Sequence, residues 1–371
     1  MTSLTLPVIK RRASLGTVIL LGLAALGAFA ALFRFVDGFS KISNLSDSRP
    51  WGIWISFDLL VGVPISAGAF ILAATVHIFH MDKYRPILRP TLLTGFLGYF
   101  MVILALLVDL GQPQRIWHII IYQNLQSPLF LVGMCEMIYL IVLLLEFSPP
   151  VLEKLGWTTL LQYLRKISIP VVILGVTLST MHQSSLGSLF LIVPFKMHPL
   201  WYTPLLPLIF LVSAISVGFG MVLFECAVSH QVFGGNVRKD IFEGLAKGML
   251  ISLGILLLIK LGDLIAAGEL GRVIEGSFQS AMYLLENFVG IILPIAILLI
   301  PKLRKDIAWI FRAALLTVIW LVIARLNIGL VSMAGVPYVP HILELAVTVG
   351  LFSAGILAFG YAMKNLPLEE A

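Results

Sequence analysis

Ten long apolar segments dominate this sequence of 371 residues and leave little freedom in what it can fold into. Each is about 20 residues or longer, the length that an α-helix needs to cross the hydrocarbon core of a bilayer. Only 12% of the residues are charged, about half the usual share in soluble domains. The sequence therefore predicts an all-α, polytopic protein embedded in a lipid bilayer. The predicted spans are residues 16–36, 54–80, 91–110, 127–147, 167–192, 205–229, 244–267, 281–300, 307–328 and 341–363.

The basic residues of the loops predict the orientation of these helices. Ten spans place both termini on the same side of the membrane, and fifteen of the 25 Lys and Arg residues lie on that side, against six on the other. Because Lys and Arg accumulate in cytoplasmic loops, we expect both termini in the cytoplasm and the helices in a bacterial-type inner membrane. The net charge of +6 then reflects topology, and no nucleic-acid partner is expected.

A polar stretch, Thr180–Ser188, interrupts the fifth apolar segment. Its residues Ser184 and Ser188 are four apart, so they could let another helix approach closely. Its residues His182 and Gln183 could instead hydrogen-bond a polar ligand within the membrane. The sequence alone leaves both interpretations open.

Other ionisable side chains lie inside the spans, and most of them are expected in the outer half of the membrane. A charge at the centre of a span costs roughly 2.5–3.5 kcal/mol, so several unpaired charges would cost more than about 10 kcal/mol. Some must therefore pair or face a wet cavity. Glu136 lies deeper, and Glu146 and Glu225 lie towards the cytoplasmic ends of their helices. The outer set comprises Asp58, Asp109, Lys260, Asp263, Glu286, Arg325 and Glu344.

The two halves of the chain differ in the cations available to these acids. In the second half, Lys260 and Asp263 are three residues apart and can pair on one helix face. Arg325 could reach Asp263 or Glu344, so we predict structural ion pairs there. The first half has fewer cations near its acids and His182. Carboxylates close to a histidine in a low dielectric can exchange protons, so we expect a site that gives or takes protons.

Motifs for several other chemistries are missing from the sequence. It contains no CxxC, Walker, GxGxxG or HExxH motif, so no iron–sulfur cluster, metal site or nucleotide site is expected. Cys135 and Cys226 lie in apolar segments and are interpreted as small buried side chains. A b-type haem usually needs two facing histidines, and only His182 and His341 qualify by position. We therefore expect no haem.

At the start of the second span, Pro50–Asp58 resembles the PWGxWxxFD motif of the NrfD/PsrC family, the membrane subunits of polysulfide reductases. Met181–Ser188, followed by His198–Trp201, resembles the hydrogenase branch of that family, the HybB-type membrane subunits of periplasmic nickel–iron hydrogenases. The resemblance extends over essentially the whole chain and is most specific in residues 50–230. Shorter matches are Leu145–Phe147, Leu155–Trp157 and Phe224–Glu225.

The resemblance implies an architecture and a set of partners. It implies two four-helix bundles, residues 54–192 and 205–328, flanked by helices 16–36 and 341–363. Such subunits carry no haem or metal and are not catalytic alone. They anchor an iron–sulfur subunit and a hydrogenase-like catalytic subunit on the periplasmic side. They exchange electrons with a quinone, menaquinone or ubiquinone, near the outer face of the membrane.

The resemblance also places this quinone site on named residues of the chain. Asp58 and His182 fall on the motifs themselves, Trp54 belongs to the first motif, and Gln183 and Asp109 neighbour the two motif residues.

The same expectation includes proton translocation, with protons reaching the quinone from the cytoplasm through Glu136 and then Glu225 or Glu146. Glu136 departs from the family pattern, in which the acid of the fourth helix is expected about one turn earlier, at Leu131 or Val132. An alternative function is a proton or ion transporter not linked to redox chemistry. Transporters of that kind favour helices broken near the membrane centre. Here the Gly and Pro breaks cluster in loops and near helix ends.

Overall fold

The computed structural model of this chain describes residues 15–46, 49, 51–234, 238–333 and 338–368. Pro50, the first residue of the motif, lies outside them. The described residues contain no β-strand, only two isolated bridges, and include ten helices long and apolar enough to cross a membrane. The predicted all-α class with ten spans is confirmed, and the protein is a multi-pass membrane protein. The helices are α1 (Leu15–Asp37), α2 (Trp54–Ile78), α3 (Asp82–Asp109), α4 (Pro128–Leu155), α5 (Thr158–Leu191), α6 (Leu206–Phe233), α7 (Lys239–Ala266), α8 (Phe278–Leu299), α9 (Ile307–Val331) and α10 (Ile342–Asn365).

Each predicted span overlaps one of these helices, but α3 and α5 begin well before the predicted residues 91 and 167. Hydropathy marks only the part of a helix that lies in hydrocarbon. The polar first turns of α3 and α5 are helical too, because their backbone groups hydrogen-bond within the helix whatever the solvent. The apolar pattern therefore predicted the number of helices better than their ends.

Helices α2 and α6 form the centre of the molecule. Of the 18 most apolar consecutive residues in each helix, 83% are buried in α2 and 61% in α6, against 11% in α1. The two central helices cross at Gly68 and Gly218, where a Cβ atom on Gly218 would lie only 3.1 Å from the Gly68 nitrogen. Around them α2 to α5 and α6 to α9 pack as neighbouring groups. The predicted division into two bundles, residues 54–192 and 205–328, stays a prediction, since α2 and α6 also pack directly on each other.

Helices α1 and α10 form a pair at one side of this core. They cross at Gly27 and Gly350, and a Cβ atom on Gly27 would lie 2.6 Å from the Gly350 Cα. Arg34, near the end of α1, donates a hydrogen bond of 2.8 Å to the carbonyl of Val108 and another to that of Leu110. Helix α10 also packs against α3, so the pair is held against the first group of helices.

Four turns of these helices are π-helical. Two lie in α2, at Trp54–Leu59 and Ala74–Ile78, and one each in α8 (Phe288–Ile292) and α9 (Asn327–Val331). A π turn inserts an extra residue into a helix and occurs frequently at functional sites. The first of these turns contains Asp58.

Candidate functional site

An apolar cavity of about 400 Å³ lies between α2, α3, α6 and α10. Most of its lining is aliphatic or aromatic, but it has a carboxylic acid on each of the two central helices, Asp58 on α2 and Glu225 on α6. Glycines at positions 62, 98 and 355 line it as well, and their missing side chains leave space between the helices. Cavities of this size and lining are typical of sites for apolar ligands with a small polar group.

Asp58 is almost fully buried, with 3% of its surface exposed. Its Oδ2 atom accepts a hydrogen bond of 2.7 Å from the Thr348 hydroxyl of α10, while Oδ1 has no hydrogen-bond partner among the described residues. A buried carboxyl oxygen left without a partner is costly, because it has lost its water. The Oδ1 atom of Asp58 could therefore take up a further hydrogen bond.

Glu225 occupies a comparable position on α6. One of its oxygens accepts a hydrogen bond of 2.7 Å from the Thr94 hydroxyl of α3, and the other has no partner among the described residues. The sequence grouped Glu225 with Glu136 on a proton route. The structure instead places Glu225 in the lining of the same cavity as Asp58.

His182 and Glu136 meet inside the first group of helices. His182 Nε2 of α5 lies 3.3 Å from Glu136 Oε2 of α4, and the two side chains are 0% and 2% exposed. The sequence indicated few cations near the acids of the first half. The structure supplies a partner for Glu136 from the next helix, α5, which packs closely along α4.

Three further polar side chains surround this pair, and the sequence reasoning missed them. The Tyr99 ring makes edge contacts with Tyr139 and His182, at centroid distances of 4.7 and 5.6 Å. Ser179 neighbours both tyrosines. We call these five residues the buried polar cluster: Tyr99, Glu136, Tyr139, Ser179 and His182.

The buried polar cluster satisfies most of its polar groups internally. The Glu136 and His182 side chains contact each other at 3.3 Å, and the Ser179 hydroxyl lies within reach of the Tyr99 and Tyr139 hydroxyls. The second Glu136 oxygen, Oε1, and the second His182 nitrogen, Nδ1, have no hydrogen-bond partner among the described residues. A buried polar group without a partner costs about 1–3 kcal/mol, so these two atoms could bind a further polar group.

A second cavity, of about 420 Å³, opens where α4 ends and α5 begins. We call it the polar cavity. Its lining includes Glu146 and Glu153 of α4 and Arg165 of α5. Glu153 forms an ion pair of 2.8 Å with Arg89 of α3. Glu146, the third predicted acid, belongs to the lining of the polar cavity and not of the apolar one. Its Oε2 atom is buried without a hydrogen-bond partner among the described residues.

The remaining residues predicted for the quinone site do not line the apolar cavity. Gln183 is fully buried and donates a hydrogen bond of 3.3 Å to the carbonyl of Val63 on α2. The Trp54 indole donates to the backbone carbonyl of Glu344 at 3.3 Å. Asp109 ends α3 beside Arg34. Of the five predicted residues, only Asp58 lines the cavity.

The predicted ion pairs of the second half have other partners. Lys260 Nζ lies 2.6 Å from Glu286 Oε1 of α8 and does not pair with Asp263. Glu286 also accepts hydrogen bonds from Trp201, at 3.0 Å, and Asn327, at 2.8 Å. Asp263 accepts a hydrogen bond from Thr203 at 2.6 Å. Sequence spacing identified which residues could meet along one helix, but not which neighbouring helix supplies a better partner.

Arg325 and Glu344 are likewise separate from each other. Arg325, 2% exposed, donates a hydrogen bond of 2.6 Å to Ser213 and stacks over the Phe210 ring, 3.6 Å from its centroid. Glu344 accepts hydrogen bonds from the hydroxyls of Ser43, at 2.7 Å, and Tyr338, at 2.9 Å. Burial raises the pKa of the Tyr338 phenol, which keeps it a donor. The predicted pairing of Arg325 with Asp263 or Glu344 is therefore corrected.

These features define a multi-pass membrane protein whose interior holds protonatable side chains beside an apolar cavity. The chain belongs to the NrfD family: residues 41–335 match the family described as "Polysulphide reductase, NrfD". The resemblance seen in the sequence is confirmed.

Three relatives show the range of complexes in which similar chains occur. The "Probable Ni/Fe-hydrogenase 2 b-type cytochrome subunit" of Escherichia coli K12 is 34% identical over 90% of this chain and 87% of the relative. The "Menaquinone reductase, integral membrane subunit" of Nitratidesulfovibrio vulgaris is 26% identical, over 92% and 88% respectively. The "Hdr-like menaquinol oxidoreductase integral membrane subunit" of Archaeoglobus fulgidus is 26% identical, over 81% and 74%.

The first of these names corrects one prediction. A relative that is 34% identical is named a b-type cytochrome subunit, so the expectation that this chain carries no haem is contradicted. A b-type haem is usually held by two histidines. The apolar cavity has no histidine in its lining, and the polar cavity has one, His77. Neither cavity fits a haem held in that way.

Proposed function

We propose that this chain is the quinone-reactive membrane subunit of a respiratory oxidoreductase. The observation that carries the proposal is the apolar cavity with the Asp58 carboxyl in its lining. A quinone combines a polar ring with a long apolar tail, and this lining offers a surface for both parts. The names of two relatives, a menaquinone reductase subunit and a menaquinol oxidoreductase subunit, support a quinone as the ligand.

The chemistry required at this site is proton-coupled. Reduction of a quinone to a quinol takes up two electrons and two protons. A partner subunit supplies the electrons, and the Asp58 carboxyl hydrogen-bonds one quinone oxygen and transfers a proton as that oxygen gains charge. The hydrogen bond from Thr348 fixes the carboxyl and leaves its other oxygen, Oδ1, without a partner among the described residues. In the opposite direction the same carboxyl accepts a proton from the quinol.

The position of Asp58 determines the side of the membrane on which the quinone ring binds. We propose that both termini are cytoplasmic and that the membrane is the inner membrane, as the distribution of Lys and Arg favours. Asp58 lies in the first turns of α2. With both termini cytoplasmic, these turns lie at the outer face of the membrane. An iron–sulfur subunit on the periplasmic side, with a hydrogenase-like catalytic subunit behind it, would be close enough to deliver electrons to this end of the cavity.

The protons would come from the cytoplasmic side. We propose that Glu146 takes them up from the polar cavity and that Glu136 and His182 receive them deeper in the bundle. Support comes from the placement of Glu146 in the polar cavity and from the contact between Glu136 and His182. His182 thereby acts in proton supply, and Gln183, held by Val63, positions α5 against α2. Glu225 is not part of this route, because it lines the apolar cavity proposed for the quinone.

The proposal is tested by replacing Asp58 with Asn and, separately, Glu225 with Gln in the intact complex. Both changes convert an acid in the same cavity to its amide. Asp58→Asn should lower quinone-linked turnover by about 10²–10⁴-fold. Electron transfer to a soluble dye should not change, because it bypasses the cavity. Normal quinone-linked turnover in Asp58→Asn would contradict the proposed site, and a selective loss in Glu225→Gln would move the ring to that acid.

The same preparation distinguishes the alternative function. A quinone-reactive subunit should co-purify with an iron–sulfur subunit and should catalyse no ion flux without a reductant. A proton or ion transporter would be complete alone and would show flux in vesicles that contain only this chain.

A further inference from the structure

The four helices around the apolar cavity form a ring that is open at one side. Helix α2 packs on α3 and on α6, and α10 packs on α3. Helices α6 and α10 both line the cavity, but over their described residues they do not pack closely on each other. The cavity therefore has a side opening between these two helices, which we call the α6–α10 gap.

The side chains at the α6–α10 gap suit an opening into lipid. Ile356, near the middle of α10, lines the cavity and is nevertheless 56% exposed, so it has one side in the cavity and the other on the surface of the molecule. Three half-buried lining residues accompany it, namely Phe359 of α10 and Phe224 and Val228 of α6. Because lipid tails are as apolar as these side chains, exposing them in the bilayer has no hydrophobic cost. The α6–α10 gap therefore connects the cavity with the hydrocarbon of the membrane.

The cavity is long in the direction of the helices. One end lies at Asp58, whose carboxyl accepts the hydrogen bond of 2.7 Å from Thr348 of α10. On α10 the lining continues as far as Phe359. Thr348 and Phe359 are eleven residues apart on one helix, which is about 16 Å at 1.5 Å per residue. A quinone ring held at Asp58 occupies one end of this length, and the remainder has room for a chain of apolar atoms.

The part of the cavity away from Asp58 offers few polar groups to a ligand. Thr94, Glu225 and Ser229 are the polar residues of its lining. The Thr94 hydroxyl of α3 donates to Glu225 of α6 at 2.7 Å, so these two side chains bond each other. The same bond holds α3 and α6 together at this end. The ligand group that fits here is apolar and enters from the α6–α10 gap.

We propose that the α6–α10 gap is the passage between the bilayer and the quinone site, and that the isoprenoid tail of the bound quinone stays in it while the ring reaches Asp58. The inference rests on the proposed function, because it takes a quinone as the ligand. An isoprenoid tail is apolar along its length and needs no hydrogen bonds. Burial of such a chain is favourable in proportion to the apolar area removed from water, so the residues along the gap select for quinones that carry a tail.

Gly355 of α10 provides a position at which the tail can be obstructed. It lines the cavity, and a Cβ atom on it would meet only Met101, at 3.5 Å, which is an ordinary van der Waals contact. A large side chain at this position would therefore take up cavity space without displacing a neighbouring backbone. Gly360 lies on the same helix, does not line the cavity and has nothing within 4 Å of its Cβ position, so it is the matched control.

The first experiment compares Gly355→Phe and Gly360→Phe in the intact complex in lipid vesicles. The substrates are menaquinone with a long isoprenoid tail and menadione, which has the same ring without the tail. Gly355→Phe should raise KM for the tailed quinone by at least about tenfold, equivalent to about 1.4 kcal/mol, and leave turnover of menadione and of a soluble dye unchanged. Gly360→Phe should behave as the wild type with all three. An unchanged KM for the tailed quinone in Gly355→Phe, or an equal loss with both quinones, would overturn the proposal.

The second experiment needs no substitution and decides the question if Gly355→Phe does not assemble. The wild-type complex is irradiated with a menaquinone that carries a diazirine in its tail. Cross-links should form on residues of the gap, and excess unlabelled menaquinone should prevent them. A phospholipid with the same group on an acyl chain is the comparison. Tail cross-links outside the gap, or phospholipid cross-links in the gap that menaquinone does not displace, would overturn the proposal. The expected positions are Phe224, Val228, Ile356 and Phe359.

The outcomes separate this inference from the proposed function. If Asp58→Asn keeps wild-type turnover with both quinones while the tail still labels the gap, the proposed site of the ring is wrong and the passage stands. If Asp58→Asn loses turnover with both quinones and the tail labels other helices, the site of the ring stands and the passage is wrong.

Discussion

Thr348 of α10 donates a hydrogen bond of 2.7 Å to Asp58 in the first π turn of α2. One turn earlier on both helices, the Trp54 indole donates to the backbone carbonyl of Glu344 at 3.3 Å. Helix α10 is therefore fixed to α2 at two successive turns. Since α10 also forms one wall of the apolar cavity, the helix that encloses the ligand is the one that orients the carboxyl.

Thr348→Val tests this arrangement, because it keeps the shape of the side chain and removes the hydroxyl. A hydrogen bond to a charged group contributes about 1.5–3 kcal/mol, so we expect quinone-linked turnover to fall by roughly ten- to a hundredfold. The fall should be smaller than in Asp58→Asn, which removes the acid itself. Ser353→Ala on the same helix is the matched control, since that hydroxyl donates to the Val349 carbonyl of its own helix. Equal activity of the two variants would show that Thr348 does not position Asp58.

Glu136→Gln removes the acid of the Glu136–His182 pair and keeps its size. We expect quinone-linked turnover to fall by at least about tenfold when the proton route through α4 is interrupted. Proton uptake from each side of sealed vesicles is the measurement, with Glu243→Gln, an acid outside the cluster, as the control. Full turnover of Glu136→Gln, with protons taken from the same side as in the wild type, would remove Glu136 from the route.

Gly27→Val tests the crossing of α1 and α10. A Cβ atom at this position would lie 2.6 Å from the Gly350 Cα, so the two helices would have to separate. Overpacking of this kind costs typically about 1–3 kcal/mol, and we expect a lower melting temperature of the purified protein. Gly22→Val, on the same helix with nothing within 4 Å, should melt as the wild type does. If both variants melt at the wild-type temperature, the crossing tolerates a side chain and the close approach contributes no stability.

Arg325→Ala tests whether the buried guanidinium of α9 is structural. The change removes the donor to Ser213 and the cation that stacks on Phe210. We expect a loss of about 1–3 kcal/mol, because the buried Ser213 hydroxyl loses this donor and Phe210 loses the stacked cation, and therefore less folded protein with a nearly normal specific activity. Arg312→Ala, on the same helix over Trp309, is the control. Well-folded Arg325→Ala that has specifically lost quinone-linked activity would instead place Arg325 in the site.

The sequence by itself determined the class of the protein and the positions of its helices. An apolar segment of about twenty residues must cross the membrane as a helix whatever surrounds it, because lipid satisfies no backbone hydrogen bond. This local property predicted all ten spans, and the motif around Asp58 identified both the family and the one predicted ligand-binding side chain that lines the cavity.

Only the tertiary structure decided which polar side chains meet. Glu136 pairs with His182, Lys260 pairs with Glu286, and these partners lie on different helices in each case. The spacing along one helix gives the face on which a residue lies, but not which neighbour that face meets or at what rotation. Packing between helices sets both, through contacts such as those of Gly68 with Gly218. For the same reason, no pattern in the sequence gathered Tyr99, Tyr139 and Ser179 around the pair, although their helices were predicted correctly.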